Sequence, residues 1–283
     1  MPLVAGKTLW VVAAVKARFG WPTSRMRLQF LGRKFLLRPE TDELTPSICI
    51  SDENGLTLRE GHNLINRFLS ALAWSQGAGA DVMSVVGSSG AEPIRLGKGE
   101  LRHIADPWHM VYLPQPTNEK ALRALAVFRE ALSLENPAYR FLGLFKILNI
   151  RFSSGTDQKN WVNQNLSALR DSRSLERLQQ LANEKDIGAY LYHQGRCAVA
   201  HAFTSDVIDP DVSEDIRRLE DDRFLMQELA ELLISKELNV PTDSEFRYSL
   251  RNSWATPPEC VTAVVEPDES NNVVQPPPAS GCG

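Results

Sequence analysis

The 283-residue sequence predicts an α+β fold, in which a mixed strand and helix domain over residues 1–116 precedes an all-helical antiparallel bundle over 117–250. Three observations carry this. From about residue 3 to 60 the pattern is strand-like, with apolar and polar positions alternating over Arg25 to Phe30. After a connection punctuated by Pro107, Pro114 and Pro116 the period becomes helical. Residues 251–283 then hold Pro257, Pro258, Pro267 and Pro276 to Pro278 with few large apolar side chains, which predicts a disordered tail.

In the first domain the apolar run Leu9 to Val15 reads as a strand. It is followed by Lys16 and Arg18 without a small-residue cleavage pattern, so it does not read as a leader. Arg25 to Phe30 alternates apolar and polar positions, Leu31, Gly32 and Arg33 read as a turn, and Lys34 to Arg38 returns as a strand. Pro46 to Ile50 repeats the pattern, and Asp52 to Gly55 reads as the closing turn. From Leu58 to Trp74 the spacing of Leu64, Ile65, Phe68, Leu69, Leu72 and Ala73 predicts a helix stopped by Gly77 and Gly79. The glycines at 87, 90, 97 and 99 read as loop residues, lacking the strand-before, helix-after setting of a phosphate-binding loop.

The second domain opens with a helix over Asn118 to Leu134, whose stripe is Ala121, Leu125, Phe128 and Leu132. Asn136 and Pro137 form an N-cap and first-turn signature for a central helix, Tyr139 to Ile150, that is apolar most of the way round. Further helices are expected at 159–169, 174–184, 187–203 and 212–238, the last with Ile216, Leu219, Met226, Leu229 and Leu233 inward.

Composition narrows the function. The formal charge is −4, which gives no global basic field for nucleic acid. Cys49, Cys197, Cys260 and Cys282 are scattered, with no zinc or disulfide spacing, so a reducing cytoplasm is the expected compartment. No run approaches the roughly 20 apolar residues that span a bilayer, so no membrane partner is expected.

The helix at 187–203 is the one that could carry chemistry. His193, Cys197 and His201 stand at i, i+4 and i+8, with Arg196 flanking the row. Small residues between Arg196 and His201 leave room for a second helix or subunit, and for a phosphate in the cleft. Arginine suits phosphate because its planar fork stays charged, and histidine can move a proton. The plain alternative is a solvated arginine and a packed histidine. A metal reading would use His193, Cys197 and His201 with Asp206, Asp209 or Asp211. Three ligands on successive turns span about 12 Å, too far for one tetrahedral ion, so no metal and no cofactor are expected.

The stretch from Arg196 through Cys197, Ala198, Val199 and Ala200 to His201 resembles the Arg-x4-6-His signature of HEPN domains. The preceding core helix within 135–149 resembles that of HEPN-type bundles, and together these cover roughly residues 118 to 238. The layout of the whole chain resembles the J protein family named for methylamine-utilization gene clusters.

The HEPN resemblance implies a homodimer through the helical domain and metal-independent RNA cleavage, with Arg196 and His201 as catalytic residues. His193 and Cys197 would then contact substrate. Cys197 departs from the polar residue that often follows the arginine in active members. Two functions therefore stand. One is an RNA-binding protein or endoribonuclease of a defence or toxin class. The other is a non-catalytic dimeric accessory protein associated with methylamine utilization. Charge lends RNA modest support, since residues 117–205 hold 12 Lys/Arg against 8 Asp/Glu, while residues 206–240 hold 4 against 11.

Overall fold

A computed structural model describes residues 7–42, 44–91, 110, 112–184, 186–201, 208–209, 212–252 and 266–267. It has the mixed α+β architecture expected: an antiparallel sheet with one helix, then a helical region of eight helices among the described residues.

Strands β1 (Lys7–Ala17), β2 (Met26–Phe30), β3 (Arg33–Arg38) and β4 (Ser47–Thr57) lead into α1 (Leu58–Gln76), and β5 (Ala80–Ser88) follows. The sheet order is β5-β1-β4-β3-β2-β6, where β6 is Glu266–Pro267, paired with Met26 and Arg27 on the β2 edge. Of the tail expected over 251–283, the described residues are these two and 251–252, which end a helix. The rest of it lies outside the described residues.

The β2–β3 hairpin closes through Leu31 and Gly32, both at positive φ (47° and 71°), the backbone that two-residue hairpins need and that glycine adopts without cost. Gln115 Oε1 accepts from the Leu31 N–H at 2.8 Å and fixes the turn. Helix α1 starts with a capping box between Thr57 and Glu60 and ends at Gly77, whose φ of 64° lets its N–H reach the Ala73 and Trp74 carbonyls.

Two sequence readings are corrected here. The turn expected at Asp52 to Gly55 lies inside β4. The register slips between Thr8 opposite Leu56 and Trp10 opposite Ser51, so a bulge absorbs the extra residues and the strand continues. Gly87, expected in a loop, lies in β5 opposite Val11, in a strand the sequence pattern does not show. Gly97 and Gly99 lie outside the described residues.

Buried apolar side chains form two main clusters. The sheet and α1 enclose Phe30, Phe35, Phe68, Leu37, Ile48, Ile50 and Ile65, with the three phenylalanine rings packed on one another. The second cluster gathers α2 (Glu119–Ser133), α3 (Pro137–Arg151) and α8 (Ser213–Leu238) around Phe128, Phe141, Phe145, Leu229 and Leu233. Each such side chain removed from water contributes roughly 1.5–3 kcal/mol. Asn136 caps α3 by accepting from the Ala138 and Tyr139 N–H groups, with Pro137 in the first turn, as the sequence predicts.

Among the described residues, several polar contacts tie the sheet half to the helices. Arg18 donates to Ser133 O at 2.6 Å, Trp74 Nε1 donates to Pro241 O at 2.9 Å, and Arg129 of α2 reaches Asn66 of α1. Helix α4 (Gly155–Asn165) follows α3, α5 (Ser172–Gln180) is joined to α8 where Ser174 Oγ donates to the Phe224 carbonyl at 3.2 Å, and α9 (Asp243–Asn252) follows α8. Among the described residues no helix is long and apolar enough to cross a membrane.

Candidate functional site

The segment expected as one helix over 187–203 is not a continuous α-helix. It comprises α6 (Ile187–Tyr190), a π-helical segment Leu191–Cys197, and α7 (Ala198–Ala200), and the backbone turns extended at His201 (φ −132°, ψ 120°). Residues 202–203 lie outside the described residues.

Local packing places the π segment. A Cβ at Gly188 would meet the Lys159 carbonyl oxygen at 2.3 Å, and one at Gly195 would meet the Phe141 ring at 2.4 Å, so both glycines let the segment press onto α4 and α3. Asp186 starts α6 by accepting from the Ala189 N–H, which with the Asn163 amide holds its carboxyl below the ordinary carboxylate range. Within the wide turns, the carbonyl of Gln194 accepts from Arg218 of α8 at 3.0 Å. A π turn loosens the regular ladder, and a side chain from α8 supplies a bond there.

Below it lies a buried polar network. Asp222 is fully buried and accepts from Arg177 Nε at 2.8 Å and Tyr190 Oη at 2.9 Å, with Arg218 at 4.0 Å. Arg177 Nη2 also donates to Tyr190 Oη at 3.2 Å. Burial pushes the Asp222 carboxyl up, against the charge of Arg177 and the hydrogen bonds it accepts. Burial works against the Arg177 guanidinium, yet the facing carboxylate outweighs it and holds Arg177 above its ordinary value. Burial and then the Asp222 charge raise the Tyr190 hydroxyl. Helices α5, α6 and α8 are thereby pinned together at the base of the π segment.

Of the sequence-identified residues, Arg196, Cys197 and His201 lie at and just beyond the C-terminal end of the π segment. Arg196 Nη1 lies 3.3 Å from His201 Nε2 and 3.5 Å from Cys197 Sγ, and its guanidinium stands 5.5 Å from the Tyr192 ring centroid. A guanidinium only donates, so this contact is a hydrogen bond when Nε2 carries the lone pair and Nδ1 the proton. Arg196, Cys197 and His201 are brought together, all half-buried. His193 is exposed and meets the edge of Tyr192 at 5.0 Å between centroids, with no described bond to Arg196 or His201. The row of His193, Cys197 and His201 drawn on a regular helix is thus displaced, because the π segment changes the angle between successive side chains.

Sequence reasoning missed Tyr192, which packs against Phe145 and Lys159 as well as Arg196. It also missed Arg218 and the Asp222 network. Chemically the arrangement offers a fixed cation beside an imidazole, suited to holding an anionic oxygen and moving a proton next to it.

No group of three or more His, Cys, Asp or Glu side chains that could hold a metal ion occurs among the described residues, and Asp206 and Asp211 lie outside them. Neither Cys49, which is buried, nor Cys197, which is half-buried, forms a disulfide among the described residues.

A helical bundle presenting an Arg–His pair on an interrupted helix is the class that fold and site define. Within it, residues 124–235, from inside α2 to near the end of α8, match the family model described as methylamine utilization protein MauJ. Arg196 and His201 both fall in the matched segment. No match was found among curated proteins or among solved structures.

Proposed function

We propose that this chain is a cytoplasmic accessory protein of the methylamine-utilization J type, which acts through its helical bundle as a homodimer without catalysing a reaction itself. The observation that carries this reading is the match of residues 124–235 to that family model. In a host that uses methylamine, deletion of the gene is expected to slow growth on methylamine as sole nitrogen source and to leave growth on ammonium unchanged. Equal growth of deleted and intact strains on both sources overturns the reading.

A second reading has its own support in the 3.3 Å contact between Arg196 and His201. As an RNA-binding protein or metal-independent endoribonuclease of a HEPN type, in a defence or toxin setting, the chain would hold the scissile phosphate on Arg196. His201 would take the ribose 2′-hydroxyl proton or protonate the leaving oxygen. Cys197 would line the same cleft, and His193 would contact RNA from its exposed rim. Purified protein incubated with labelled total RNA in EDTA is then expected to cleave it, and His201→Ala, folded by its melting curve, to lose that cleavage. Folded wild-type protein that leaves RNA intact, or a variant that cleaves equally well, removes this reading.

A further inference from the structure

Helices α1 and α2 do not close fully on each other. Between them lies a cavity of about 200 Å3 that shares no lining residue with Arg196 and His201. Its floor is apolar: Phe30, Ala71 and Leu125 are each at most 1% exposed. Its walls carry three arginines, Arg67 from α1 and Arg123 and Arg129 from α2, against one carboxylate, Glu119.

The state of these charges is informative. Arg67, Arg123 and Glu119 are exposed, and none forms an ion pair among the described residues, although Glu119 and Arg123 stand one turn apart on α2. Arg129 is half-buried. Its Nη1 donates to Asn66 O and Asn66 Oδ1, both at 3.0 Å, and its Nε and Nη2 have no acceptor among the described residues. Burial pulls this guanidinium down, while Asp81 and Glu130 act the other way from a distance. One edge of the fork is thus fixed by a neutral partner, leaving donors for an anion.

Size and polarity narrow the ligand. An open cleft of about 200 Å3 has room for a small molecule only. An inorganic anion would leave the apolar floor in contact with nothing apolar, and Glu119 opposes a multiply charged one. A single carboxylate on a short hydrocarbon body satisfies both surfaces. We propose that the cleft between α1 and α2 binds a short-chain monocarboxylate. Its carboxyl group meets Arg129 with Arg67 and Arg123, and its hydrocarbon end rests on Phe30, Ala71 and Leu125. Because α1 packs on the sheet and α2 belongs to the bundle, the ligand bridges the two halves of the chain.

Titration calorimetry of the full chain at fixed ionic strength tests this with butyrate, its neutral isostere butyramide, and inorganic phosphate. Saturable butyrate binding is expected, with butyramide and phosphate each at least tenfold weaker. The double variant Arg67→Ala, Arg123→Ala, which alters exposed side chains only, is expected to weaken butyrate at least tenfold without moving the unliganded melting temperature. Arg129→Lys, which keeps the charge and loses the fork, should weaken it as well. Absence of saturable butyrate binding, equal binding of butyramide, tighter binding of phosphate, or wild-type affinity in the folded double variant overturns the assignment. The comparison of isosteres on wild-type protein decides the question even if a variant fails to fold.

Discussion

Asp222→Ala is expected to cost about 3–5 kcal/mol of stability, measured by denaturant unfolding at pH 7, the range found when one partner of a buried ion pair is removed. The carboxylate is fully buried and serves two partners at 2.8 and 2.9 Å, so its loss leaves the Arg177 guanidinium, whose side chain is 13% exposed, without a countercharge. Tyr190 loses its acceptor at the same time, and water has little access to replace either bond. Asp222→Asn keeps an oxygen for Tyr190 and should lose less. The more exposed Arg247–Asp243 pair is the internal standard: Arg247→Ala should cost under about 1 kcal/mol. A loss of similar size in Asp222→Ala and Arg247→Ala would show that the buried network does not hold α5, α6 and α8 together.

Glu231→Gln is expected to stabilise the protein at pH 8 to 9 by roughly 1–3 kcal/mol and to have little effect at pH 5. Although part of its surface is exposed, burial pushes the Glu231 carboxyl up to about 7, helped by Glu228 and Asp171 and opposed by the Gln227 hydrogen bond and Arg173. Its folded value thus lies above the unfolded one of about 4.3. The protonated form is the one the fold prefers, so this contribution is complete below pH 4.3. It is lost as pH rises through about 7, where the fold must hold the charge. Glutamine mimics the protonated state and retains an oxygen for Gln227 Nε2, now at 3.0 Å. Melting temperatures of the two proteins across pH 5 to 9 check the sign: curves that run parallel would exclude Glu231 as a source of pH dependence.

Elements whose stability is local were legible in the sequence. Strands β1 to β3, helix α1 with its glycine stop, and α3 with its Asn136–Pro137 start follow from periodicity and caps that involve neighbours only. Strand β5 was not, because Ala80–Ser88 mixes polar residues and a glycine with its valines. It forms because β1 offers it a partner edge. The interior of β4 reads as a turn because Asp52 to Gly55 are turn formers, with Gly55 at φ 70°; they fall in the bulge between the paired residues Ser51 and Leu56, where the strand resumes.

At the candidate site, the Arg-x4-His resemblance singles out Arg196 and His201 as a pair. It does not identify what supports them. Arg177 and Tyr190 lie 45 and 32 positions from Asp222, and no single-helix pattern shows such a meeting. The π segment is equally silent, since Leu191, Gly195 and Ala198 are buried at spacings that fit an ordinary helix. The paired glycines at 188 and 195 were the available signal, each marking a helix pressed against its neighbour.

The π segment also sets the phase of everything beyond it. In an unbroken α-helix, residues five apart point about 140° away from each other, so Arg196 and His201 would diverge. Their meeting depends on the extended backbone at His201, which leaves the spiral after Ala200. Deleting any one residue from Tyr192 to Gly195 while the wide turns persist would carry Arg196 and His201 together by about 100° and about 1.5 Å relative to the helices packed around them. Chain length in this stretch is therefore a stricter requirement than most of its side-chain identities: it tolerates exchange of letters far better than loss of one.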